Sequence, residues 1–84
     1  MPYIEQKKRP ALDIIVEDMV NAGLNKPDGN LNYVLFKLAK FVKPSYNEYK
    51  NYLGELEECI AEIRRKMLGP YEDIKEQQNG PVVW

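Results

Sequence analysis

The chain has no histidine, no threonine, a single serine (Ser45) and a single cysteine (Cys59) in 84 residues. Each shortage removes a class of chemistry. One thiol cannot form an internal disulfide, so a disulfide-built scaffold is excluded. Without histidine, and with one thiol, neither a structural zinc site nor a Glu-x-x-His metal motif can be assembled. Ser45 reads as a helix cap, and Cys59 falls mid-helix, where it reads as a small core hydrophobe. The chain is therefore poorly supplied for nucleophilic or acid–base catalysis, and no enzyme, cofactor or metal is expected. Glu57, Glu58 and Glu62 form an acidic cluster, with Glu72 and Asp73 beyond it, but no calcium-loop spacing surrounds them. No apolar run approaches the ~20 residues that cross a bilayer. The opening Met1–Arg9 lacks the apolar stretch of a signal peptide, so the expected location is the cytoplasm. Charge of one sign is also lacking: 12 basic residues face 13 acidic ones. That balance gives no basic footprint for specific DNA or RNA binding.

What is present is helical periodicity. Leu12, Ile15, Val16, Met19 and Val20 recur at helical spacing over residues 10–22, with Pro10 in the first turn and Gly23 as a stop. Asn25, Pro27, Asp28 and Gly29 supply a loop. A second helix spans about 30–43 and ends at Pro44. Ser45 and Glu48 match a capping box that opens a third helix, which runs to Leu68. Gly69–Pro70 should break or kink it. Residues 71–79 read as a short fourth helix stopped by Gly80. The expected fold is all-α: three main helices plus a short C-terminal helix in one domain, 1–84. Residues 1–9 form an N-terminal arm and 81–84 a tail ending in Trp84.

A chain this short buries only ~60–65% of its unfolded surface, so its core is marginal. With disulfides and metals excluded, association is the remaining source of stability, and a small helical bundle completed by homo-oligomerisation is expected. Two faces carry that expectation. Tyr49, Leu53, Leu56, Ile60, Ile63 and Met67 follow one another at gaps of 4, 3, 4, 3 and 4. This period serves an intermolecular seam or a core-facing stripe, and the second is the simpler for this face alone. The second helix is apolar on two sides. Leu31, Val34, Leu35, Leu38 and Val42 share one face, while Tyr33 and Phe36 lie opposite, interleaved with Lys40 and Lys43. The second face is a candidate interface, a pocket combining aromatic stacking with ammonium charge, or a surface that lysine stems and aromatic rings merely cover.

Arg64-Arg65-Lys66 is the densest basic run in the C-terminal half. Near a helix end it complements the macrodipole, and Glu62 stands four residues before Lys66 in the favourable order. The same arginines could fork onto a phosphate.

Three short elements carry a resemblance: Met1-Pro2-Tyr3-Ile4 at the start, Leu31-Asn32-Tyr33-Val34 in the second helix and Pro70-Tyr71-Glu72-Asp73 in the fourth. Together they resemble a group of small phage and prophage proteins, over most of the chain except the 24–28 loop. The resemblance implies a viral or mobile-element origin and a bacterial host cell. It carries no residue roles. Small phage-encoded helical oligomers without catalytic residues are often inhibitors or sequestering proteins. The expected function is therefore a non-enzymatic homo-oligomer that sequesters a nucleotide signalling molecule and so counters host defence. Tyr33 or Tyr71 would stack on a base. Arg64, Arg65 or Lys40 would neutralise phosphate, and Asn32 would hydrogen-bond a base edge or the neighbouring backbone. The alternatives are a module that docks on a host protein through the Tyr33–Phe36 face, or a structural accessory. The interface expectation covers Tyr33, Phe36, Tyr49, Leu53, Leu56, Ile60 and Trp84.

Overall fold

The structure is a computed structural model that describes residues 2–26 and 28–83. It is all-α. A 3₁₀ turn at Gln6–Lys8 leads into α1 (Arg9–Asn21), followed by α2 (Asn30–Leu38) with a 3₁₀ turn at Ala39–Phe41. Next come α3 (Tyr46–Ile63), a π-helical turn at Arg64–Leu68 and α4 (Gly69–Asn79). The chain groups into two units, one of residues 3–53 and one of residues 54–84 with residues 1–2.

In residues 3–53 the helix ends follow local chemistry. The guanidinium of Arg9 donates through Nε and Nη2 to the Ile4 carbonyl, 3.0 and 2.8 Å away, and ties the arm to α1. Pro10 sits in the first turn of α1, where its missing N–H costs nothing. The C-terminus of α1 closes as a Schellman turn. Gly23 N–H bonds the Val20 carbonyl and Leu24 N–H bonds the Met19 carbonyl, both at 2.9 Å. Met19 and Leu24, the pair whose apolar contact usually accompanies this turn, are both half-buried. Pro27, expected in the following loop, lies outside the described residues. Asp28 then receives the Asn30 N–H on Oδ1 at 3.2 Å, and Gly29 at φ 100° turns the chain into α2. A side chain at that φ would be strained, so the turn requires glycine. Ser45 Oγ accepts the Glu48 N–H at 3.1 Å and starts α3, as a capping residue should.

Pro70 does not break the helix. Proline cannot donate to the carbonyl four residues back, and its ring presses on that carbonyl. The chain absorbs this with the π turn, in which Gly69 N–H bonds the Arg64 carbonyl five residues earlier. Helical backbone thus continues from α3 through the turn into α4.

No described residue is fully buried. On α1, Leu12, Ile14, Ile15, Val16 and Val20 are all exposed, and only Met19 is half-covered. On the core-expected face of α2, Val34 and Leu35 are half-buried, as is Val42 just beyond, while Leu31 and Leu38 are exposed. The stripe of α3 does not face a core: Tyr49, Leu53, Ile60 and Ile63 are exposed, Met67 beyond them is exposed, and Leu56 alone is half-buried. Cys59 is exposed as well, so it is no core hydrophobe. Fully burying one large apolar side chain contributes about 1.5–3 kcal/mol, and these residues forgo much of that in the lone protomer.

Candidate functional site

The candidate ligand residues divide between the two units. Asn32, Tyr33 and Lys40 belong to residues 3–53; Arg64, Arg65 and Tyr71 belong to residues 54–84.

In the first set, Tyr33 lies on α2 and is 64% exposed. Its cationic neighbour is Lys37, not Lys40. Lys37 Nζ donates to the Tyr33 hydroxyl at 3.3 Å and stands 5.6 Å from the ring centroid. The reason is helical geometry, since residues four apart lie one above the other on a helix face. Lys40 follows Lys37 by three residues on the same side and is exposed. Phe36 and Phe41, 73% and 83% exposed, complete an aromatic and ammonium surface on α2 and the turn after it. Asn32 is exposed on the same helix.

In the second set, Tyr71 repeats the arrangement. Lys75 Nζ stands 5.7 Å from the Tyr71 ring centroid, again four residues on. Arg65 is engaged: its Nε donates to Glu62 Oε1, and Glu62 is the more enclosed of the two. The expected Glu62–Lys66 pair is thus replaced by Glu62–Arg65, three residues apart, which the longer guanidinium side chain reaches. A shallow depression lined by Pro2, Glu58, Ala61, Glu62 and Arg65 adjoins this pair. Arg65 is therefore a poor phosphate fork as it stands, whereas Arg64 is exposed in the π turn.

Of the interface residues, Tyr33, Phe36, Tyr49, Leu53 and Ile60 are exposed, Leu56 is half-buried, and Trp84 lies outside the described residues. Among the described residues no group of acidic or cysteine side chains is arranged to hold a metal ion. No helix among them is long and apolar enough to cross a membrane.

Reasoning from sequence missed Tyr52. Its hydroxyl donates to the Leu35 carbonyl at 2.6 Å and joins α3 to α2. The available signal was Tyr52 itself, an amphipathic side chain one position off the apolar stripe of α3. Such residues bury a ring and find a partner for the hydroxyl.

No curated protein and no solved structure matches the chain. A family profile matches residues 1–82, and on that match the chain belongs to the family described as a domain of unknown function, DUF6899.

Proposed function

We propose that this protein is a non-enzymatic binding protein that works as a homo-oligomer. One observation carries the reading: amphipathic helices form in both units, yet their apolar faces stay open to solvent, and no described residue is fully buried. Helices are normally stabilised by burying such a face, and a long one left open marks an interaction surface. The thin supply of nucleophiles and the lack of histidine favour binding over catalysis.

The finer reading is a phage protein that sequesters a phosphate-bearing signalling nucleotide at subunit interfaces. Its support is the Tyr33–Lys37 pair of α2, where an exposed ring stands beside one ammonium group, with the exposed Lys40 in the turn that follows. Aromatic rings stack on bases and cations neutralise phosphate. Tyr71 with Lys75, and Arg64 in the π turn, offer the same chemistry on the other unit. The second reading, docking on a host protein, is favoured by Phe36 and Phe41, the two most exposed aromatic rings on the α2 segment.

Native mass spectrometry of the purified protein, with and without a panel of mono- and cyclic nucleotides, tests these readings. The expected result is a defined oligomer that gains nucleotide mass in whole-number stoichiometry. An oligomer that gains nothing removes the nucleotide and leaves the host-protein reading. A monomer overturns the homo-oligomer.

A further inference from the structure

The apolar stripe of α3 has a symmetry that identifies one way to cover it. In heptad terms Tyr46, Leu53 and Ile60 occupy one seam position, a, and Tyr49, Leu56 and Ile63 the other, d. The first and last residues of this set are also the first and last residues of α3. Turned end for end about the point between Gly54 and Glu55, the helix matches itself. Tyr46 then meets the partner's Ile63, Tyr49 the partner's Ile60, and Leu53 the partner's Leu56, each a against d. Tyr46 is 81% exposed, and all the others except Leu56 are exposed as well.

The charges flanking the stripe choose the same direction. Lys50 and Glu57 both occupy the e position, are exposed, and make no ion pair among the described residues. In an antiparallel pair the e flanks of the two helices lie side by side. Lys50 then stands beside the partner's Glu57, and Glu57 beside the partner's Lys50. In a parallel pair each e residue faces a g residue of the other helix. Lys50 would meet the partner's Ser45 and Glu57 the partner's Tyr52, neither of them a counter-charge. On its own chain, the other flank of the stripe holds Tyr52, already bonded to the Leu35 carbonyl of α2. The e flank is the open one. Past Ile63 the π turn takes the chain out of heptad phase, which limits the self-complementary stretch to α3.

From this self-complementarity we infer that the occupant of the α3 stripe is α3 of a second copy of this chain, packed antiparallel. The Lys50–Glu57 pairs formed twice across the two-fold axis fix the direction. The inference rests on the homo-oligomer reading and deepens it by naming the contact.

Charge reversal tests it. Lys50→Glu replaces two attractive pairs with two repulsive ones, and so does Glu57→Lys. Each single variant is expected to self-associate about tenfold more weakly, or worse, in sedimentation or native mass spectrometry at low salt. The double variant Lys50→Glu/Glu57→Lys recovers self-association. An equimolar mixture of the two single variants recovers it as a heteromer, because every antiparallel pair is then attractive. A parallel seam predicts no effect from any of these changes. Unchanged oligomers in both single variants overturn the α3 seam and leave the homo-oligomer standing. Weakened singles that neither the double variant nor the mixture rescues overturn it too, and a monomeric wild type ends both readings.

Discussion

In residues 3–53 the helix ends are set by local turns and caps, and one side-chain hydrogen bond joins two of the helices. The Schellman turn at Gly23 closes α1, Asp28 and Gly29 open α2, Ser45 opens α3, and the Tyr52 hydroxyl ties α3 back to α2. From residue 54 to residue 79 the chain is continuous helical backbone, and the side-chain contacts described along it are local. Arg65 pairs with Glu62, Lys75 stands over Tyr71, and Gly69 reaches Arg64 within the π turn. The contrast shows where each region finds its order. The first region has tertiary structure of its own, although its apolar faces remain open. The second has helix propensity, i, i+3 or i, i+4 contacts worth a few tenths of a kcal/mol each, and Pro2 lying beside Glu58, Ala61, Glu62 and Arg65. Its exposed Ile60, Ile63, Met67 and Ile74 gain little until another surface covers them.

Removing the tie between α3 and α2 is the strongest way to break this contrast. Tyr52→Ala deletes a half-buried ring and the hydroxyl's bond to Leu35, and should cost about 2 kcal/mol. Tyr52→Phe keeps the ring and should cost about 1 kcal/mol, because the Leu35 carbonyl still accepts the Ala39 N–H. Urea unfolding at one fixed protomer concentration checks both, since association makes stability concentration-dependent. Equal, negligible losses would mean that residues 3–53 lack the tertiary tie that separates them from the rest.

Gly29→Ala probes the same region at a turn rather than a contact. At φ 100° an L-residue is strained, and the expected loss is about 1–2 kcal/mol. Gly54→Ala is the control from the other region. It sits in ordinary helix with nothing within 4 Å of the added methyl group, so it should stabilise by roughly 0.5–1 kcal/mol. The same substitution thus has opposite signs in the two regions, as thermal unfolding midpoints would read. A common sign would dissolve the distinction.

The parts legible in the sequence are those fixed by a few neighbouring residues. Gly23 marks its helix end because a Schellman turn needs a left-handed residue there, and Ser45 marks a start because its hydroxyl reaches an N–H three residues on. The stripe of α3 is legible as a period, but a period does not say what covers it, and the core-facing reading fails because the chain leaves that face open. Tyr52 was not legible, since its partner stands 17 residues away and only the fold brings them together. Within the candidate site, the helical period puts Lys40 on the Tyr33 side of the second helix, but it did not single out Lys37, which the spacing of four sets over the ring. Arg65 was legible as a cation but not as one held by Glu62, because several acidic residues compete for it at helical distances. Gly69–Pro70 reads as a break or a kink, because proline usually ends or bends a helix; that one extra residue in a turn can accommodate it is a property of the backbone, not of composition.

The π turn gives the finest test of the second region, and its expected effects are the smallest. Glycine in a helix is worse than alanine by roughly 0.5–1 kcal/mol, so Gly69→Ala should stabilise. At this position a methyl group would stand 3.1 Å from the Arg64 carbonyl oxygen, closer than ordinary contact. The carbonyl is held there because it accepts the Gly69 N–H in the π turn. If Pro70 is what forces the turn, the oxygen cannot retreat, the gain is cancelled, and Gly69→Ala is near neutral. Pro70→Ala restores a donor that can bond the Lys66 carbonyl, so the turn relaxes toward α geometry and Arg64 moves away. In that background Gly69→Ala should recover its full gain. A double-mutant cycle of thermal midpoints then gives a coupling of about 0.5–1 kcal/mol. Independent effects would show that the turn belongs to Arg64–Leu68 itself, and that the proline merely follows it.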